Sequence, residues 1–276
     1  MENKKKIFDN NSKDRKIVFF DIDDTLYLPS IGVPQSAVNA IKKLRENGTF
    51  AVICTGRSRS MIFNSIIDIG FDGIIAGAGT YCEMGKEILF RNDMNEKETA
   101  TVTKKLREFE FIPVPEGHDY FYYEDESKWT DRYRKIYTRF FEEIGEYMKR
   151  IPDDDSGMCA AKVSAVFKEE SRYDEAKVFF EEKYNVINHN GSLLELIPTG
   201  FSKAEGIKLL IEKLGIPWEN TYAFGDSMND YEMLKYVNYS VAMGNSDMRI
   251  LKLAKYTTDT VENDGIFNGL SMLGLI

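Results

Sequence analysis

The sequence is poor in residues that cross-link a chain. It has three cysteines among 276 residues, Cys54, Cys82 and Cys159, and no two of them form a CxxC pair. An odd, scattered set argues against a disulfide framework and against a cysteine-rich metal site. Because free thiols persist in reducing compartments, we expect a cytoplasmic protein.

Long apolar stretches are also missing. No run approaches the roughly 18–20 apolar residues that a membrane span requires. The N-terminus lacks the apolar segment of a signal peptide, and residues 1–15 are expected to form a frayed polar extension. The net charge of −9 disfavours contact with nucleic acid and with anionic membranes, so neither is expected as a partner.

A β-α-β-α-β rhythm is present at the start of the chain. Buried-strand patterns at Ile17–Phe20, Phe50–Cys54 and Gly73–Ala76 alternate with amphipathic segments at 34–47 and 60–69. This alternation predicts an α/β fold with a doubly wound parallel sheet and right-handed crossovers.

The rhythm changes in the middle of the chain, which is richer in tyrosine and phenylalanine. Helical patterns and alternating strand patterns follow one another there without a regular order. The expected helices are 95–109, 128–148 and 171–184, and the expected strands are 87–90, 112–115, 120–124, 161–167 and 193–197. We expect residues 84–197 to form an inserted α+β domain, and residues 1–83 and 198–276 to form the α/β core.

Polar residues stand where several core strands end. Asp21 and Asp23 follow the first strand, Thr55 and Gly56 follow the second, and Asp226, Asn229 and Asp230 follow a later one. The carboxyl ends of parallel strands meet at one edge of a sheet, where ligands bind in open α/β folds. We therefore expect these groups to converge, with Lys203 opening a helix nearby.

Together these residue types suit phosphoryl transfer. Mg²⁺ prefers oxygen ligands, and Asp21 and Asp226 are the candidates for it. A carboxylate can attack phosphorus, and a second one, Asp23, can move the proton. The phosphoryl oxygens need donors and cations, which Thr55, the Gly56 N–H and Lys203 provide. Each segment taken alone also fits a purely structural role, such as an acidic turn or a solvated lysine. The occurrence of all of them at strand ends and helix starts favours a catalytic site.

This set of motifs resembles that of the haloacid dehalogenase superfamily and, within it, the Cof-type phosphatases. The stretches that resemble its four motifs, in order, are Asp21-Ile22-Asp23-Asp24-Thr25-Leu26, Thr55-Gly56-Arg57, Lys203 and Gly225-Asp226-Ser227-Met228-Asn229-Asp230. The inserted domain is similar in position and length to a C2-type cap. The implied fold is a Rossmann-like core carrying that cap.

The resemblance implies a role for each matching residue. Asp21 is the implied nucleophile and Asp23 the acid/base. Mg²⁺ is the implied cofactor, with Asp21, Asp226 and the backbone carbonyl of Asp23 as its ligands. The implied phosphate-binding residues are Thr55, Gly56, Lys203 and Asn229, and the implied supporting residues are Asp230, Thr25 and Arg57.

Two positions depart from the usual Cof-type pattern. Asp24 stands where these phosphatases usually have glycine, and Ala78 stands where they often have asparagine. The sequence does not assign a role to Asp24. Ala78 removes a polar side chain that Cof-type phosphatases often carry near the cap hinge.

The expected activity is Mg²⁺-dependent hydrolysis of small phosphate monoesters, sugar phosphates among them, by way of an aspartyl-phosphate. The expected partner is a small phosphorylated metabolite, and the expected state is a monomer or a weak homodimer. Candidate specificity residues in the cap are His118, Asp119, Tyr120 and Trp129, although aromatic side chains there also suit a cap core. A phosphomutase related to phosphomannomutases and a non-catalytic phosphometabolite sensor are the alternatives.

Overall fold

A computed structural model describes residues 14–276; the N-terminal extension expected at 1–15 lies almost entirely outside this range. The strands, in chain order, are β1 (Ile17–Phe20), β2 (Phe50–Cys54), β3 (Gly73–Ala76), β4 (Tyr81–Met84), β5 (Glu87–Arg91), β6 (Phe111–Glu116), β7 (Phe121–Tyr123), β8 (Met148–Arg150), β9 (Lys162–Phe167), β10 (Tyr184–His189), β11 (Leu193–Pro198), β12 (Thr221–Gly225), β13 (Tyr239–Ala242) and β14 (Tyr256–Thr257).

The α-helices are α1 (Gln35–Glu46), α2 (Asn64–Ile67), α3 (Glu96–Glu108), α4 (Asp131–Ile144), α5 (Tyr173–Phe180), α6 (Lys203–Leu214), α7 (Tyr231–Tyr236), α8 (Met248–Leu253) and α9 (Gly265–Met272). Residues 14–276 divide into two compact units. The first unit contains residues up to 56, 65–90 and 202–276, and the second contains 57–64 and 91–201.

The first unit is built on an eight-stranded sheet in the order β14-β13-β12-β1-β2-β3-β4-β5. The six strands from β14 to β3 run parallel, and β4 is antiparallel to β3. All four residues of β1 are buried, as expected for a central parallel strand. The predicted α/β fold with its doubly wound parallel sheet is confirmed. The chain leaves β1 toward β2 on one side and returns as β12 on the other, which places a topological switch point between β1 and β12.

Helix α1 illustrates how the predicted core helices form. Its buried residues Ala37, Ala40, Ile41 and Leu44 recur at helical spacing. Pro34 immediately precedes the first helical residue, Gln35, where its fixed φ is compatible with a helix start. The lysine and arginine in the last turn, Lys43 and Arg45, suit the negative end of the helix dipole.

The second unit contains a six-stranded sheet in the order β10-β11-β9-β6-β7-β8. Its pairs are antiparallel except for β7 and β8. Side chains of α3 and α5, including Leu106 and Phe180, form an apolar cluster with Val163 and Leu196 of the sheet. The predicted α+β character of this part of the chain is confirmed.

The alternating strand β9 begins with a buried charge. Lys162 is buried and forms ion pairs with Glu116 on β6, at 3.0 Å, and with Glu195 on β11. A buried pair left without one partner costs about 3–5 kcal/mol, so this cluster penalises any slip in the order or register of the three strands.

Several predicted boundaries were wrong. The helix expected at 60–69 is a 3₁₀ helix, Arg59–Met61, followed by the one-turn helix α2. The helix expected at 128–148 ends at Ile144, and Met148–Arg150 is a strand. Strands β4, β10 and β14 were not expected. Whether a short segment forms a strand depends on the strands with which it pairs, and the local sequence does not reveal those partners.

None of the helices formed by residues 14–276 combines the length and the apolar character that crossing a bilayer demands.

Candidate functional site

The candidate site lies where β1 and β12 end. Asp21 directly follows β1, and its backbone N–H donates to the Phe224 carbonyl of β12 at 3.1 Å. This bond extends the parallel ladder by one residue and fixes the Asp21 backbone beside the β12 end. Asp226 follows β12 immediately. The two predicted metal ligands are therefore neighbours although they are 205 positions apart in the sequence.

Three carboxylates converge at this point. Oxygen atoms of Asp21, Asp226 and Asp230 lie within 4.8 Å of one another, and all three residues are buried. Burial and the Asp230 charge raise the pKa of Asp226 to about 7. Burial, followed by the charge of Asp230, also raises the pKa of Asp21 well above its ordinary value. Buried carboxylates that repel one another in this way are suited to binding a cation, which would compensate for the water that they have lost.

Lys203 supplies positive charge to the cluster. Its Nζ lies 2.7 Å from Asp21 Oδ1 and 2.6 Å from Asp230 Oδ1. Burial by itself lowers the pKa of the ammonium, but the charges of Asp21 and Asp230 outweigh that effect and raise it. Lys203 is consequently a permanent cation, and it holds the nucleophile candidate in place.

The position of Lys203 depends on a close approach of backbones. Ser202 caps helix α6, accepting from the Glu205 N–H at 3.2 Å. The turn after β3 passes so near this helix start that a Cβ on Gly79 would overlap the Ser202 carbonyl oxygen. Helix α6 can begin beside the sheet edge only because that side chain is absent.

Asp230 is fixed by its own turn. Its Oδ2 accepts from the N–H groups of Asp226 and Ser227 at 3.0 and 3.2 Å. A Cβ on Gly225 would lie 2.7 Å from the Asp230 carboxyl carbon, so glycine is required there. With Oδ2 occupied by the backbone, Oδ1 is directed to Lys203. Asp230 therefore supports the site while contributing to the acidic cluster.

The remaining core candidates surround these groups. The Thr25 hydroxyl donates to Asp226 Oδ1 at 2.9 Å. Asn229 Oδ1 accepts from Ser227 at 2.9 Å and lies 3.4 Å from Lys203 Nζ, while its Nδ2 is 3.8 Å from the position of a Cβ on Gly56. Thr55 is buried, and its carbonyl accepts from the Ala78 N–H at 3.1 Å. The structure thus gathers the predicted phosphate-binding residues in one unit.

Comparison with known proteins identifies the family. The family model described as haloacid dehalogenase-like hydrolase matches residues 18–270. The chain belongs to this family. It is a Cof-type phosphatase of the haloacid dehalogenase superfamily, with a cap domain.

Relatives cover almost the whole chain. It is 29% identical to "Putative phosphatase YkrA" of Bacillus subtilis (strain 168), over 95% of this chain and 99% of that protein. A hypothetical protein from Geobacillus kaustophilus HTA426, known from its crystal structure, is 27% identical in sequence. The two structures superpose with a TM-score of 0.81 over 95% of this chain and 100% of that one. The subclass IIB sugar phosphatase BT4131 has the same fold at 24% identity, with a TM-score of 0.81 and the same coverages.

The two departures from the Cof-type pattern have a conformational feature in common. Asp24 and Ala78 both have left-handed backbones, with φ of 57° and 53°. Glycine and asparagine, the residues that usually stand at these positions in Cof-type phosphatases, adopt this region most easily. In this phosphatase, therefore, the two departures involve backbone strain as well as side-chain chemistry.

Asp23 differs from its neighbours in being exposed. It lies two residues beyond the buried Asp21, on the same turn, in which the Leu26 N–H donates to the Ile22 carbonyl at 2.9 Å. A solvent-exposed carboxylate can exchange protons with water, as an acid/base must. The acidic cluster found among residues 14–276 contains Asp230 and not the Asp23 side chain.

Arg57 belongs to the second unit. Its guanidinium lies over the rings of Phe63 and Phe140, at 4.3 and 5.2 Å from their centroids, and donates to the Met61 carbonyl at 3.2 Å. These cation–π contacts tie the segment that follows Gly56 to helix α4 of the same unit. The sequence alone identified the Thr55-Gly56-Arg57 motif, but it did not reveal that Arg57 stacks on Phe63 and Phe140.

The four cap candidates have different surroundings. His118 is buried near Asp93, and burial lowers the pKa of its imidazole to about 4, so the ring is neutral at pH 7. Asp119 is exposed and pairs with Arg91 at 2.6 Å. Tyr120 is partly exposed beneath Lys149. Trp129 stacks on Tyr133 and donates to the Glu124 carbonyl at 2.7 Å, within an aromatic cluster.

Proposed function

We propose that this phosphatase hydrolyses small phosphate monoesters, sugar phosphates among them, through an aspartyl-phosphate formed on Asp21 and with Mg²⁺ as its cofactor. The observation that carries the proposal is the buried cluster of Asp21, Asp226 and Asp230 around Lys203. Attack on a phosphate dianion needs an anionic nucleophile, which Asp21 provides, and positive charge near the phosphoryl oxygens. Lys203 provides a fixed ammonium, and the carboxylates of Asp21 and Asp226 can bind a cation.

The chemistry follows from the groups at hand. Asp21 attacks phosphorus, the bond to the ester oxygen breaks, and Asp23 gives that oxygen its proton. Asp23 then takes a proton from water, whose oxygen attacks the same phosphorus; inorganic phosphate leaves and the Asp21 carboxylate is restored. Lys203, Asn229, Thr55 and the Gly56 N–H hold the phosphoryl oxygens. Mg²⁺, held by Asp21, Asp226 and the Asp23 carbonyl, would offset the charge of those oxygens.

Asp230 is proposed as a supporting group because Lys203 and two backbone N–H groups already engage its carboxylate. Sugar phosphates are favoured as substrates because the sugar phosphatase BT4131 has the same fold. Asp119, Tyr120, His118 and Trp129 are proposed as the first cap positions to vary when substrate preference is examined.

The proposal is tested by phosphate release from a panel of esters. The purified chain with Mg²⁺ should release inorganic phosphate from sugar phosphates faster than from nucleoside monophosphates or phosphorylated peptides. A phosphomutase would instead convert one sugar phosphate into its isomer without net release, and a sensor would bind the esters with no turnover. Either result would replace the hydrolase proposal.

Substitution of Asp23 separates the proton transfer from the attack. We expect Asp23→Asn to lower kcat by about 10²–10⁴-fold, the usual contribution of a general acid/base. The loss should be smaller for an aryl phosphate, whose leaving oxygen needs little protonation, than for an alkyl phosphate. Because Asp23 is exposed, the melting temperature should hardly change. Equal losses for the two esters would contradict the acid role.

The acidic cluster predicts how stability depends on pH without metal. The raised pKa of Asp226, about 7, means that the folded state keeps a proton that the unfolded state has already released. Stability should therefore fall as pH rises from about 4 to about 7, by at most ~1.4 kcal/mol per pH unit for each such proton. The raised pKa of Asp21 acts in the same direction.

Thermal denaturation across this pH range, in chelator and in Mg²⁺, checks the prediction. Because Mg²⁺ binds the ionised carboxylates, it should raise the melting temperature more at the alkaline end than at the acidic end. Asp226→Asn removes one titrating group and should flatten the pH dependence measured in chelator. A metal-free protein that became more stable with rising pH would contradict the geometry of the cluster.

A further inference from the structure

The two sheets end in four edge strands, and one of them differs from the others. Strand β14 has two residues, β8 is short and carries Lys149 and Arg150, and β5 begins with Glu87 and ends with Arg91. Strand β10, Tyr184–His189, has six residues and no lysine, arginine, aspartate or glutamate. Charge and shortness are the usual protection against edge-to-edge pairing, and β10 has neither.

The hydrogen-bonding side of β10 follows from its register. Tyr184 is opposite Pro198, and one pair earlier the Thr199 N–H donates to the Lys183 carbonyl at 3.0 Å. In an antiparallel pair such residues alternate with residues whose N–H and C=O point away. Tyr184, Val186 and Asn188 therefore direct their backbone groups to the open side, where no strand from residues 14–276 is paired.

Apolar side chains adjoin this edge. Helix α5 exposes 72% of Val178 and 48% of Phe179. Together with α3 and Tyr184, these residues line an open cavity of about 690 Å³. An open strand edge beside exposed apolar residues offers both the backbone and the side-chain contacts of strand addition.

Charge favours a second copy of this chain as the occupant. The whole chain carries −9, but the cavity is bordered by two residues of each sign, Lys97 and Lys183 against Glu98 and Glu182. The lining of the cavity thus carries no net charge, whereas the whole chain is negative. A two-fold axis brings a patch against itself, which allows the lysines of one copy to face the glutamates of the other.

We propose that two copies of this chain associate through β10, antiparallel across a two-fold axis, to join their six-stranded sheets. Val186 lies opposite its counterpart in the second copy, and Tyr184 lies opposite the second copy's Asn188, so that all outward backbone groups are paired. Val178 and Phe179 of the two copies cover the junction on the helical face. This association is independent of the proposed phosphatase chemistry.

The oligomeric state of the full chain tests the proposal. Light scattering after gel filtration, at about 100 μM, where micromolar association is visible, should give the mass of a dimer. Val186→Pro removes an outward N–H without breaking the bonds to β11 and should weaken association at least tenfold. Val186 also packs against the apolar cluster of its own unit, so its substitution could affect folding. Val178→Lys is therefore a second test at a residue that is 72% exposed, and it should weaken association as well.

Met248→Lys is the matched control, since Met248 is 63% exposed on α8 of the other unit; it should leave the dimer intact. Phosphate release per chain, with the circular dichroism spectrum, verifies that each variant is folded. A monomeric wild-type chain overturns the proposal. So does a dimer that survives Val178→Lys or a folded Val186→Pro variant, because association would then use another surface.

Discussion

Asp21→Asn is expected to lower kcat for phosphate release by on the order of 10⁴-fold or more, a loss typical of removing a nucleophile. The amide is nearly isosteric with the carboxylate and still accepts from Lys203, which lies 2.7 Å from Asp21 Oδ1. It cannot form an aspartyl-phosphate. Since burial and neighbouring acids raise the pKa of Asp21, removing its charge should maintain or increase the melting temperature.

The matched control is Asp24→Asn, the same change three residues along the chain. Asp24 is exposed and has a left-handed φ of 57°, which asparagine tolerates well. We expect near-normal turnover from this variant. The combination of a folded, inactive Asp21→Asn and an active Asp24→Asn would support the nucleophile. Substantial activity in Asp21→Asn would reject it.

Lys203→Met is expected to have a large effect on both stability and activity. The substitution leaves Asp21 and Asp230 buried without their shared ammonium. Removing one partner from a buried ion pair costs about 3–5 kcal/mol, so in chelator the free energy of unfolding should fall by about that amount. Turnover should fall by at least about 10²-fold, because a cation placed at the phosphoryl oxygens is lost.

Lys208→Met on the same helix serves as its control. Lys208 has a side chain that is 45% exposed and pairs with Glu205 at 2.6 Å. Exposed pairs contribute about 0–1 kcal/mol, so chemical denaturation should hardly distinguish this variant from the wild type. If Lys203→Met and Lys208→Met gave equal denaturation midpoints and equal turnover, the central role of Lys203 would be lost.

The core elements could be predicted because each has a local cause. The β1 residues form an unbroken apolar run, and such runs form central parallel strands. The start of α6 likewise has a local cause, since Ser202 accepts from the backbone N–H of Glu205 only three residues away. The helix expected at 60–69 failed because residues 57–64 pack with a distant part of the chain, where Ser60 donates to the Gly117 carbonyl at 2.7 Å.

The sequence by itself determined the family, the order of the motifs and the identity of the groups that meet at the β1 and β12 ends. These follow from residue type and from the rule that parallel strands end on one edge. Only the tertiary structure decided that Lys203 bridges Asp21 and Asp230, that Lys162 is buried between two glutamates, and that β10 is an open edge. Burial, pairing order and pKa arise from contacts between residues far apart in the chain, which no local pattern records.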